Sequence, residues 1–132
     1  MLFELYTDHA IRALRLLHVR KGEVLTIMEI ALSIGTTSPI FAKIAGKLRR
    51  AGMLKTIKGQ KGGFVLGRPA SEISIYEVYL CMEGELRINH CLVSNELCEH
   101  GKQVDCNVHG VLYGIQDELI EKLSNISIAD LV

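Results

Sequence analysis

Cys91, Cys98 and Cys106 follow one another as C-x6-C-x7-C, and His109 makes a Cys-x-x-His step after the last of them. Thiolates are soft, strongly donating ligands, so three of them in one aperiodic stretch suit zinc or an iron–sulfur cluster. Wide, uneven gaps wrap more readily around a bulky cluster than around one small ion. The stretch also lacks the C-x2-C knuckle of most structural zinc sites. A second reading stands beside this one, in which the thiols are redox-active or incidental and hold no metal. Disulfides are not expected as structural links in a reducing compartment. His90 and His100 lie in the same stretch as spare nitrogen donors, whereas Cys81, beside Leu80 and Met82 in a helical pattern, reads as a packed thiol. No Ser–His–Asp order, paired-carboxylate pattern, P-loop or dinucleotide fingerprint accompanies these residues, so the expected function is not enzymatic.

A second kind of chemistry is written in the charge. The chain carries 15 basic and 15 acidic residues, a net charge of zero. Residues 1–35 balance, with Arg12, Arg15, Arg20 and Lys21 against Glu4, Asp8, Glu23 and Glu29. Residues 36–71 hold Lys43, Lys47, Arg49, Arg50, Lys55, Lys58, Lys61 and Arg68 and no acid. Residues 72–132 hold Arg87, Lys102 and Lys122 against eleven acids. A zero total therefore conceals a basic block and an acidic block. Chance clustering on a solvated surface explains the 36-residue acid-free block poorly, and a polyanion footprint explains it well.

These groups need elements to position them. At 132 residues, 48% apolar and without tryptophan, the chain suits one mainly α domain built on Leu, Ile, Val and Ala. Thr7 precedes a helical stretch from Asp8 to about Val19, with Ala10, Ile11, Leu14, Leu17 and His18 in phase. Thr26 is placed to cap a second helix with Ile27, Ile30, Ala31 and Ile34 as its stripe, closed by Gly35. Ser38-Pro39 reads as a capping hydroxyl and first-turn proline for a third helix, which runs to Arg50-Ala51. Its apolar face is Ile40, Phe41, Ile44, Ala45 and Leu48, and Lys43, Lys47 and Arg50 share the other. Two short helices joined by a small turn make a helix-turn-helix, and the basic second helix is its recognition helix. Met53 to Ile57 and Phe64 to Leu66 then flank Lys58-Gly59-Gln60-Lys61-Gly62-Gly63, a glycine-rich basic hairpin or wing. The expected DNA surface is Thr37, Ser38, Pro39, Lys43, Lys47 and Arg50, joined by Lys58, Gly59, Gln60, Lys61, Gly62 and Gly63 of the wing.

Past Arg68-Pro69, Ser74 and Glu77 form a capping box for a short helix through Cys81 that ends at Gly84. A long helix returns from about Asn107 to Asn125, with Val108, Leu112, Ile115, Leu119 and Leu123 as its stripe. Little chain remains to cover that stripe, so a second copy is its expected partner. A two-fold dimer suits duplex DNA, because paired recognition helices read palindromic half-sites. The organisation expected is a winged helix-turn-helix over 1–70, a linker helix and cysteine loop over 71–106, and a dimerisation helix and tail over 107–132, in one integrated domain. The N-terminus lacks a signal peptide and no apolar run is long enough for a membrane span, so a cytoplasmic protein is expected.

The whole chain resembles the Rrf-two-type winged-helix transcriptional regulators. The resemblance is carried by Thr7-Asp8-His9-Ala10-Ile11-Arg12-Ala13-Leu14 and most specifically by Lys58 to Ala70, the wing and its exit. The three-cysteine loop before a long helix and the ending Ile128-Ala129-Asp130-Leu131-Val132 carry it too. The resemblance implies a DNA-binding regulator, most often a repressor, that senses redox state, nitric oxide or iron–sulfur status through a 2Fe–2S or 4Fe–4S cluster. By the same resemblance Cys91, Cys98 and Cys106 supply three ligands and a non-cysteine residue supplies the fourth. Asp8 stands where NsrR-type members have a ligating aspartate, given across the dimer, and His109 where IscR-type members have a histidine. Thr7-Asp8 follows its pattern more closely. Two departures are visible. The cysteine gaps are longer than is usual, and Ala42 stands where IscR-type members place an acid that helps select DNA sites. The sequence leaves two other functions open: a regulator sensing through thiols, zinc or a metabolite, and a small iron–sulfur electron-transfer or assembly protein.

Overall fold

The computed structural model describes residues 2–93 and 106–132. Five α-helices and one two-stranded antiparallel sheet run through them: α1 (Leu5–Val19), α2 (Ile27–Ile34), α3 (Ser38–Arg50), β1 (Leu54–Ile57), β2 (Gly63–Leu66), α4 (Ile75–Glu83) and α5 (Asn107–Ser124). Among the described residues no single helix is long and apolar enough to cross a membrane.

α1 is the central element. It buries Thr7, His9, Ala10, Ala13, Leu14 and Leu17 and packs against α2, α3, α4 and a short turn at Ile128–Leu131. The helix begins three residues before the expected Asp8, and the reason is tertiary. Its first residues have no local side-chain cap. The Glu83 carboxylate at the end of α4 accepts the Glu4 N–H at 3.3 Å and the hydroxyl of buried Thr7. A carboxylate there satisfies an orphan donor and suits the positive end of the helix dipole.

α2 opens as expected. Thr26 accepts the Glu29 N–H at 3.1 Å, and the Glu29 carboxylate accepts the Thr26 N–H at 3.0 Å. Gly35 ends it with φ 79°, a left-handed conformation that suits glycine. α3 then leaves at 105° to α2, within the range of a helix-turn-helix. The cap of α3 is Thr37, one residue earlier than expected: its hydroxyl accepts the Ile40 N–H at 3.4 Å. Ser38 and Pro39 therefore occupy its first turn. Phe41, Ile44, Ala45 and Leu48 are buried, as their spacing predicts. Each large side chain removed from water in this way contributes about 1.5–3 kcal/mol.

Beyond the wing, α4 keeps half of the expected capping box. Ser74 accepts the Glu77 N–H at 3.1 Å, but the Glu77 carboxylate turns to Arg68 at 2.6 Å. A guanidinium offers a charge-assisted bond that a backbone N–H does not match. The end of the chain returns to the core. Ile128 is fully buried, the Ile75 and Ile128 N–H groups donate to the Ile126 and Ile73 carbonyls, and Arg15 donates to the Leu131 carbonyl at 2.8 Å. The tail thus completes the winged-helix core.

α5 presents two faces. Gln116 is buried, and Leu112, Leu119, Ile120 and Leu123 are half-buried. Val108, Val111 and Ile115 are exposed, at 64%, 63% and 51%. The stripe expected from the sequence mixes these faces: Leu112, Leu119 and Leu123 pack within the chain, while Val108 and Ile115 do not.

Candidate nucleic-acid interface and cysteine segment

Lys43, Lys47 and Arg50 lie exposed along α3, opposite its buried face, with Thr37 and Pro39 exposed and Ser38 half-buried at its N-terminal end. Lys47 leans away from this surface. Its ammonium lies 3.5 Å from the Met82 carbonyl, and the Cys81 thiol lies 3.5 Å from the Lys47 carbonyl. Burial pushes the Cys81 thiol above its usual range, and the nearby charges of Lys47 and Arg50 oppose that shift. Arg68 is occupied by Glu77 and by the Glu72 carbonyl. Among the described residues, no carboxylate pairs with Lys43, Arg49, Arg50, Lys55, Lys58 or Lys61. The acid-free block of sequence has become one basic head built from α3 and the wing.

The wing pairs Leu54 with Leu66, Lys55 with Val65, Thr56 with Phe64 and Ile57 with Gly63. Lys58, Gly59, Gln60 and Lys61 are exposed at its tip. Gly62 and Gly63 are needed by the fold itself. A Cβ at Gly62 would stand 2.3 Å from the Ile57 carbonyl oxygen, and one at Gly63 would stand 2.3 Å from the Leu25 carbonyl oxygen. Leu25 pairs with Phe64 across this approach. Leu25 was not singled out from the sequence. Its only local signal is the apolar pair Val24-Leu25 just before the cap of α2.

Cys91 lies in a short turn at His90–Leu92, half-buried, with the Asn89 amide donating to its sulfur at 3.3 Å. Cys106 is the residue that leads into α5, and His109 follows one turn later, its ring stacked 6.5 Å from Tyr113. Cys91 and Cys106 are free thiols. The turn packs against α5, and the Ile88 N–H donates at 2.9 Å to the buried Gln116 side chain. Gln116 too escaped the sequence reading, since a lone amide in an apolar helix carries no local signal. Cys98 lies outside the described residues. Among the described residues, no three His, Cys, Asp or Glu side chains meet as a metal-binding group. Asp8 is half-buried and accepts from Arg12 at 2.8 Å, which holds that guanidinium's proton above its usual range.

The family model for Rrf2, described as an iron-dependent transcriptional regulator, matches residues 4–132. A Lactococcus lactis subsp. lactis (strain IL1403) protein described as an HTH-type transcriptional regulator, YffB, is 34% identical over 119 residues, covering 86% of this chain and 76% of that one. Among solved structures, T. potens IscR superposes with a TM-score of 0.78 at 20% identity, covering 99% of this chain and 85% of the other. CymR (YrzC), the global cysteine regulator of B. subtilis, superposes with a TM-score of 0.80 at 19% identity, covering 99% and 95%. Both structures share the winged-helix fold. With its helix-turn-helix, its wing and a family match over almost its whole length, this chain belongs to the Rrf2 family of transcriptional regulators.

Proposed function

We propose that this regulator binds operator DNA as a homodimer, as a repressor, and that its cysteine segment holds an iron–sulfur cluster whose state sets the affinity. The observation that carries the reading is the joining of two features in one small fold. An acid-free basic head, α3 plus wing, shares its core with α4, and the chain passes from α4 through Gly84 directly into the cysteine segment. Thr37, Ser38, Pro39, Lys43 and Arg50 would meet the major groove and its phosphates, and Lys58, Gly59, Gln60 and Lys61 the adjacent backbone or minor groove.

The cysteine donors fit a cluster. Cys91 and Cys106 are half-buried thiols on elements that pack together, and Cys98 falls in the chain between them. Soft sulfur donors with partial shielding suit iron–sulfur ligation. Asp8 and His109 are the candidates for the fourth ligand. His109 stands one turn from Cys106 in the same chain, and Asp8 would be supplied by the partner subunit across a dimer. When bound, such a cluster supplies a centre that reacts with oxidants and nitric oxide. The chain's own part is to hold the donors on a turn and a helix end tied to each other by Ile88 and Gln116.

Protein purified without oxygen should be brown and contain iron and sulfide, and Cys91→Ala, Cys98→Ala and Cys106→Ala should each bleach it. Colourless, iron-free protein under those conditions sinks the cluster reading. It would leave a regulator that senses through its thiols or a metabolite, a reading favoured by the likeness of fold to a cysteine regulator. Absence of salt-sensitive duplex binding would instead remove the DNA reading and leave an iron–sulfur transfer or assembly protein.

A further inference from the structure

The wing is more than a hairpin. A two-stranded ribbon of four-residue strands is marginal by itself in water. Here the Phe64 N–H donates to the Leu25 carbonyl at 2.8 Å, and the Leu25 N–H donates to the Phe64 carbonyl at 3.2 Å. Leu25 is buried and directly precedes Thr26, the cap of α2. The Phe64 ring meets buried Phe41 of α3 edge-to-face, with centroids 5.9 Å apart and planes at 87°. One residue of β2 is thereby fixed through its backbone to the start of α2 and through its side chain to the recognition helix.

Gly63 makes this closure possible. A Cβ there would stand 2.3 Å from the Leu25 oxygen, 2.7 Å from its carbonyl carbon and 3.1 Å from the Thr26 nitrogen, all backbone atoms that cannot rotate aside. Its φ is not positive, so the demand for glycine is one of space and not of backbone conformation. We propose that Gly63 is a positioning residue for DNA binding: it lets β2 close on Leu25, so that the wing lysines and α3 meet the duplex as one rigid surface. The inference rests on the DNA-binding reading above. Lys58 and Lys61, on the loop leaving this root, reach phosphates only while the root is closed. Any side chain at 63 pries the root from α2 and swings the loop, with the buried face of α3 left in place.

The test is the salt dependence of binding to a mixed-sequence duplex. Each neutralised phosphate contributes about −0.9 to the slope of log K against log salt. The Lys58→Gln/Lys61→Gln double variant should flatten the slope by up to about 1.8, if each lysine neutralises one phosphate. Gly63→Ala, with both lysines present, should flatten it by a similar amount, and the triple variant should go no further. A merely structural role would lower the unfolding midpoint and leave the slope of the folded protein unchanged. Either an unchanged slope for Gly63→Ala or a triple variant that sums the two effects overturns the proposal. If Gly63→Ala does not fold in plain buffer, the same slopes are measured in sucrose, an excluded osmolyte that favours the compact state. A flattened slope supports the proposal, and a wild-type slope overturns it. Wild-type protein that fails to bind duplex DNA would remove the DNA reading itself, an outcome distinct from these.

Discussion

At the scale of single residues, the cysteines divide by environment. Cys81 is packed between α4 and the end of α3, and burial raises its thiol above the usual range against the pull of Lys47 and Arg50. A raised value means less thiolate at any given pH, and the thiolate is the nucleophile. Alkylation of Cys81 by iodoacetamide in the folded protein should therefore begin at higher pH than in the urea-unfolded chain. Lys47→Gln should delay it further, because one of the two opposing cations is lost. Peptide mass spectrometry across a pH series measures both, and identical folded and unfolded profiles would contradict the burial argument. The lysines of α3 divide in the same way. Lys43 is exposed without a carboxylate partner among the described residues, whereas Lys47 rests by the Met82 carbonyl, at the end of a helix with no basic residue in its own last turn. Cations at that end are favourable. Lys43→Ala should flatten the salt slope of duplex binding by about 0.9, and Lys47→Ala by less. Equal effects would place both ammonium groups on phosphates.

At the scale of elements, what was legible in the sequence was whatever is settled within a few residues. Thr26 and Glu29 are three apart and satisfy each other's backbone, so the start of α2 could be read directly. Thr26→Ala should cost about 1 kcal/mol of stability, as loss of such a cap does. Urea unfolding would show it as a lower midpoint with the slope unchanged. The buried face of α3 and the strands of the wing were equally visible, because periodicity and glycine chemistry are local. Misjudged features depended on distant partners. α1 starts at Leu5 because Glu83 reaches back to it, and Glu77 leaves its box because Arg68 competes for it. The α3 cap fell on Thr37 instead of Ser38, an ambiguity between adjacent hydroxyls that only the backbone angles resolve. At the cysteine segment, residue types were readable and mutual placement was not: Cys91 and Cys106 are 15 positions apart in the chain, and what joins their elements is the contact between a short turn and α5.

At the scale of the whole molecule, α5 leaves apolar side chains exposed among the described residues, as α2 does at Met28 and Leu32. The helix packs against α4 and the turn at His90–Leu92 and holds Leu112, Gln116, Leu119, Ile120 and Leu123 buried or half-buried, while Val108, Val111 and Ile115 stand one helical turn apart on the outer side. Tyr113 is exposed as well, at 57%. The second half of the helix exposes Asp117, Glu118, Glu121 and Lys122, so the uncovered apolar surface is confined to the half that follows Cys106. A second copy meeting this half would bury three β-branched residues from each chain and bring two cysteine segments close to the two-fold axis. Val111→Glu, in the middle of the outer side, would place two carboxylates in a desolvated contact, where unpaired charge is strongly unfavourable. Sedimentation velocity should then show a monomer, with the wild type expected as a dimer. Far-ultraviolet circular dichroism and the unfolding midpoint should change little, because Val111 touches solvent within its own chain. Operator affinity should fall steeply, since one recognition helix reads one half-site, while affinity for a single half-site should be nearly unchanged. A Val111→Glu protein that remained dimeric would move the interface off α5 and leave its outer face without a partner of its own kind.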